Sequence, residues 1–267
     1  MEEFWIPLIL RMVVTAAVVV AATAAAERVG PFWAALIGAF PTSAGPAYVM
    51  LALKEDAAFV AASAVSSLAA MIAIAPCTLA IIFLATRANA AATVLGGFLV
   101  WVAFAIPITQ FTWTPLVALA CNFLVYGVCF WLTRNMRFDL SNLRIKKAKW
   151  FELPVRAIVI GLFVASVVTL SDLLGPIGMG LGAVFPIVFL SLTVVLHMRL
   201  GGTALAMTMH TALRVVSIIA FALLILHYGV LWWGEAIGLS LAFLVSIIWA
   251  LLFVMVNQSE KRDTIAL

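Results

Sequence analysis

The sequence predicts an all-α, polytopic membrane protein of about nine transmembrane helices, built as two inverted-topology four-helix repeats joined by one extra helix, with broken helices at the midplane. Three observations lead there. Of 267 residues, 66% are hydrophobic and only 10% charged, where a soluble domain carries about 25% charged residues. The solvent for that much apolar surface must be lipid. The apolar runs are also long enough to cross a bilayer, which takes about 20 residues each. Finally, residues 27–41 (ERVGPFWAALIGAFP) recur without a gap as residues 172–186 (DLLGPIGMGLGAVFP), 145 positions later. Gly30, Pro31, Leu36, Phe40 and Pro41 match Gly175, Pro176, Leu181, Phe185 and Pro186. Glu27 matches Asp172, and the same offset carries Arg11 onto Arg156 and Lys54 onto Arg199. An internal match of this kind marks two copies of one unit.

Taken in order, the expected spans are Phe4–Ala26, Gly30–Leu53, Ala57–Thr86, Ala91–Ile108, Trp113–Leu132, Leu153–Leu170, Gly175–Leu196, Gly202–Leu226 and Leu231–Val256. The first is expected to be retained, because the acidic start MEEFWIPLIL lacks the basic region of a secretory signal. Residues 1–110 form the first repeat and 111–152 the linking helix with a basic loop. Residues 153–257 form the second repeat and 258–267 a cytoplasmic tail.

Charge placement orients the chain, since cytoplasmic loops are enriched in Lys and Arg. Arg134, Arg137, Arg144, Lys146, Lys147 and Lys149 crowd one segment. Placing it inside puts the N-terminus outside and the C-terminus in the cytoplasm. Arg28, Arg87, Arg199, Lys261 and Arg262 then also fall inside, and only Lys54 falls outside. The unpaired fifth span reverses the second copy, so the two copies are expected to be related by a pseudo-two-fold axis in the membrane plane. A bacterial inner membrane is the expected location.

Inverted repeats are the architecture of secondary transporters. Breaks are expected where Pro41 and Pro46 flank Thr-Ser-Ala-Gly, and where Gly178, Gly180 and Gly182 lead to Pro186. Broken helices free backbone groups, which is tolerated only against protein or a cavity. Phe40, Pro41, Thr42, Ser43, Phe185 and Pro186 are therefore candidate substrate-binding residues. Thr42 and Ser43 have no polar counterpart in the second copy, where Ile187 and Val188 stand. Hydroxyls bonded to their own helix are the alternative for both.

Ionisable groups inside a span mark function by default. Arg214, with His210 one turn before it, suggests an anionic substrate, because a guanidinium pairs well with carboxylate or phosphate. His210 could carry a coupling proton; each could equally be structural. Asn122, midway through the fifth span, either lines the cavity or ties two helices together. Glu27, Asp172, Arg11 and Arg156 are candidates for gating or coupling. The structural alternatives are helix-dipole caps for the acids and snorkelling for the arginines.

Each copy resembles the small bacterial inner-membrane proteins of the GlpM type, through Leu36, Ile37, Phe40, Pro41 and Thr42 in the first copy and Phe185 and Pro186 in the second. That resemblance implies neither substrate nor site.

Cys77, Cys121 and Cys129 lie in apolar runs without His at ligand spacing, so neither a metal site nor a cofactor is expected, and no catalytic pair is evident. No GxxxxGK[ST] motif is present. The leading expectation is a secondary active transporter of a small anion, working by alternating access and coupled to H⁺ or Na⁺. The partners are that anion and the lipid bilayer, not nucleic acid. The oligomeric state stays open, a homodimer included. The alternatives are a flippase or scramblase for an anionic lipid, favoured by a polar stripe facing lipid, and a non-transporting membrane subunit.

Overall fold

The computed structural model describes residues 44–138, 158–159, 162–163 and 166–265, with the side chains at 171, 172 and from 257 onward outside that description. Every regular element among the described residues is a helix. They are α1 (Ala44–Ala52), α2 (Ala57–Ala85), α3 (Ala90–Ile108), α4 (Pro115–Thr133), α5 (Ser171–Ala183), α6 (Ile187–Leu200), α7 (Gly202–Val216), α8 (Ile219–Trp233) and α9 (Glu235–Ile265). Residues 166–169, inside the expected sixth span, are helical too.

Among the described residues, six stretches are long and apolar enough to cross a membrane: Ala57–Ala85, Ala90–Ile108, Pro115–Thr133, Leu173–Leu200, Gly202–Trp233 and Glu235–Val256. The expected first span lies outside the described residues, as does all of the second before Ala44.

Local chemistry sets the helix starts. Asp56 caps α2, its carboxylate accepting from Phe59 N–H at 2.8 Å. Asn89 caps α3 through Ala92 N–H at 2.9 Å. Thr114 caps α4, with Pro115 as its first residue, where the missing N–H costs no helix bond. The later turns use a different device. Gly201 (φ 86°) separates α6 from α7, and Gly234 (φ 84°) separates α8 from α9. Positive φ is a region that glycine adopts without a Cβ clash.

α2 is the centre of the bundle. It packs against α3, α4, α5, α7 and α8, and 72% of its most apolar window is buried, against 6% for α9. Its alanines and serines let neighbours approach closely, as small residues do in membranes. A Cβ on Gly180 would come within 2.6 Å of Ser63 O and Ser67 N, so α5 lies backbone-to-backbone on α2. α2 and α7–α8 run antiparallel. Gly202, at the start of α7, abuts the Ala85 carbonyl at the end of α2. His227, near the end of α8, hydrogen-bonds Ala61 O near the start of α2 at 2.9 Å.

Two expectations about these spans need correction. The eighth was expected as one helix ending at Leu226. It instead runs to Trp233, because Gly234 and not the apolar profile ends it, and it is interrupted at Ser217–Ile218. The ninth accordingly starts at Glu235 instead of Leu231. The break before Pro186 is present: α5 ends at Ala183 and α6 begins at Ile187. Gly175 (φ 59°, ψ −177°) adds a second kink upstream, immediately before Pro176.

Candidate functional site

The two elements flanking the expected breaks meet on α2. Tyr48 OH, two residues past Pro46, lies 2.7 Å from Ser67 Oγ. Ser67 Oγ donates to Gly180 O, six residues before Pro186, at 2.8 Å. This chain is buried, and the Tyr48 hydroxyl needs it. A buried polar atom left without a partner costs about 1–3 kcal/mol. Beside it, Ser63 Oγ is buried with no partner.

Next to this seam lies a cavity of about 440 Å³ between α2, α5, α8 and the segment joining α3 to α4. Its polar lining is Ser66, Thr109, Thr112, Thr114 and His227, with Leu181 and Ile177 of α5 closing one side. Several hydroxyl protons are committed to helix carbonyls. Ser66 Oγ donates to Ala62 O at 3.1 Å, and Thr109 Oγ1 to Ile106 O at 2.7 Å. Those oxygens therefore present lone pairs. The His227 contact fixes its tautomer, because a carbonyl only accepts. Nδ1 carries the hydrogen donated to Ala61 O, and neutral His227 keeps a lone pair on Nε2. Thr114 Oγ1 accepts from Val117 N–H, so its own hydrogen and that of Thr112 are free, and the cavity offers both donors and acceptors.

The predicted residues are scattered over several places. Phe185 packs edge-on against Trp101 with ring centroids 4.8 Å apart, and against Phe163 at 4.9 Å. Pro186 is buried. An aromatic cluster fills the Pro186 break, and neither residue lines the cavity. Asn122 is buried, and its amide donates to Leu68 O at 2.7 Å and Ala118 O at 2.9 Å, tying α4 to α2. His210 packs on Phe138, ring centroids 5.5 Å apart, and its Nε2 is buried without a partner. Arg214 is exposed, and no carboxylate among the described residues pairs with it. His210 and Arg214 stand on α7 and line neither the seam nor the cavity, whereas Asn122 reaches α2 at Leu68, the residue after Ser67 of the seam. Arg11, Glu27, Phe40, Pro41, Thr42, Ser43 and Arg156 lie outside the described residues, and Asp172 is in the first turn of α5 with its side chain undescribed.

Sequence reasoning missed His227, Ser66, Ser67, Tyr48 and the threonines before α4. His227 carried a signal, a histidine inside an apolar run (LLILHYGV). The serines carried none that would separate them from ordinary small packing residues.

Six long apolar helical stretches among the described residues mark an integral membrane protein, helical throughout that part of the chain. The chain matches no protein-family model, no curated protein and no solved structure.

Proposed function

We propose that this protein is a secondary active transporter of a small anion, built from two inverted repeats and coupled to protons through His227. The observation that carries the reading is the antiparallel crossing of α2 with α7–α8 at the repeat offset. α2 starts at Ala57 and α7 at Gly202; α3 starts at Ala90 and α9 at Glu235; both pairs are 145 apart. The turns preceding them correspond as well, Asp56 with Gly201 and Asn89 with Gly234. The packing is reciprocal: α1 packs on α9 as α6 packs on α3, and α2 packs on α3 as α8 packs on α9. A two-fold axis relating the copies would pass close to Met71 and Val216.

Near that axis both central helices are weakened at matching positions. Pro76 lacks the N–H that Ile72 O would accept in α2. Ser217, the counterpart of Ile72, is where α7 ends. In the proposed cycle one repeat rocks against the other about this crossing, and these two interruptions are where the central helices would give.

Proton coupling follows from the cavity's polarity. With His227 neutral, the Thr112 and Thr114 hydroxyls are the uncharged donors that the lining offers an anion. Protonation turns Nε2 into a charged donor, so proton and anion enter together. The test is a reconstituted vesicle with a trapped pH dye, challenged with lactate, succinate and inorganic phosphate. At least one should acidify the lumen faster than in protein-free vesicles, and His227→Ala should abolish the excess. No excess for any of the three, or an excess untouched by His227→Ala, would reject the reading.

A second reading, movement of an anionic lipid, is favoured by one observation: Arg214 is exposed within the apolar stretch Gly202–Trp233.

A further inference from the structure

Among the described residues that line the cavity beside His227, that histidine alone can carry a charge. On the transporter reading it holds one proton, so the loaded cavity has a single positive charge. A ligand with one negative charge makes a neutral pair with it. When the site is occluded, a second negative charge would stand unpaired against apolar walls, where charges are tolerated only in pairs.

The walls specify the rest of the ligand. The polar groups gather at one end. His227 is held at Ala61, near the start of α2. α3 returns antiparallel to α2, so the segment after it, with Thr112 and Thr114, lies at that end too. Deeper in, Val65 of α2 and Leu181 of α5 are apolar walls. Ala69, two turns beyond Ala61 and so about 12 Å along α2, is the buried floor. Trp113 adds ring surface and no donor, because its Nε1 is spent on Ile108 O at 2.8 Å. Phe111 stands nearly edge-on to it, ring centroids 6.2 Å apart. At about 440 Å³ the cavity is near the small end of ligand pockets, so the apolar body it takes is compact.

We infer that the substrate of this cavity is a monocarboxylate with a compact apolar or aromatic body. The inference deepens the transporter reading and rests on it. The carboxylate meets protonated His227 and the free hydroxyl hydrogens of Thr112 and Thr114, and the body lies against Val65, Leu181 and Trp113. Succinate falls outside the class for its second charge, and inorganic phosphate for want of an apolar body.

The probe is 4-bromophenylacetate, added to the full chain in nanodiscs at one fixed, mildly acidic pH. Bromine quenches tryptophan by contact, and the difference between wild type and Trp113→Phe isolates Trp113 from the other eight tryptophans. Its quenching should saturate. 4-Methylpentanoate should displace the probe, and succinate and phosphate should not. From acetate to butyrate, displacement should strengthen about fourfold per methylene. 4-Methylpentanamide, the same body without the charge, should be about tenfold weaker than the acid or more, the worth of one hydrogen bond to a charged group. His227→Gln should remove that preference, while the amide's own displacement shows the variant to be folded. Quenching that never saturates would mean partition into the bilayer and no site. Succinate or phosphate as potent as 4-methylpentanoate would make the site one for anions in general, and an amide as potent as the acid one for neutral solutes. Each of these results overturns the proposal, as does a preference for the acid that survives His227→Gln. The transporter reading is judged apart. This binding profile without coupled acidification would keep the ligand class and reject transport, whereas coupled uptake of succinate or phosphate would keep transport and reject the class.

Discussion

His227 does two jobs in this account. Its Nδ1–H joins α8 to α2, and in the proposed transport cycle its Nε2 would take the coupling proton. The joining role is modest, because a hydrogen bond of this kind nets about 0.5–1.5 kcal/mol. His227→Ala should therefore stay folded, losing only a few degrees of melting temperature in a detergent thermal melt, while losing coupled uptake entirely. Ser67→Ala should behave in the opposite way. It strands the Tyr48 hydroxyl, so it should cost about 1–3 kcal/mol, and Ser67→Ala with Tyr48→Phe should recover most of that. Gly180→Ala should be destabilising by a similar amount, since its Cβ would press on the α2 backbone and overpacking typically costs about 1–3 kcal/mol. A melt series over these variants checks all three. Arg214 was legible as unusual from sequence alone, because an arginine at a span centre costs about 3 kcal/mol. Its surroundings were not legible, since helix periodicity gives a face but not what the face meets. The same limit applies to Asn122, whose two donor bonds select the helix-tying alternative, its oxygen being buried without a partner.

At the scale of elements, the apolar runs were readable and the interruptions only partly so. The Pro186 break was evident from three glycines followed by a proline, and α5 and α6 separate there. The Ser217–Ile218 interruption has no proline or glycine to announce it. Its position becomes intelligible only beside Pro76 of α2, 145 residues before Phe221. The matched turns show why sequence identity fades while the backbone persists. Asp56 and Asn89 close theirs with side-chain caps, and Gly201 and Gly234 with positive φ. Gly234→Ala should thus cost about 1 kcal/mol or more through backbone strain, read as a lower melting midpoint. Gly127→Ala, with open space where its Cβ would go, should be nearly neutral and serves as the control.

The whole molecule is organised around α2, the most buried of the candidate spans, crossed antiparallel by α7–α8. Under the proposed two-fold relation, matching helices would meet at matching positions, near Met71 and Val216. The proposed orientation rests on the basic segment 134–149, a feature of the sequence alone. The reciprocal packing could not, because an ungapped repeat says that two copies exist and not how they touch. The most direct test of the inverted relation is the sidedness of equivalent positions. With Cys77, Cys121 and Cys129 replaced by alanine, a single cysteine is placed at Arg28 or at its counterpart Leu173, exposed at 85%. Intact cells are then treated with a membrane-impermeant maleimide. Leu173→Cys should label from outside, and Arg28→Cys only in inverted vesicles. Labelling of both from the same side would make the copies parallel and contradict the account.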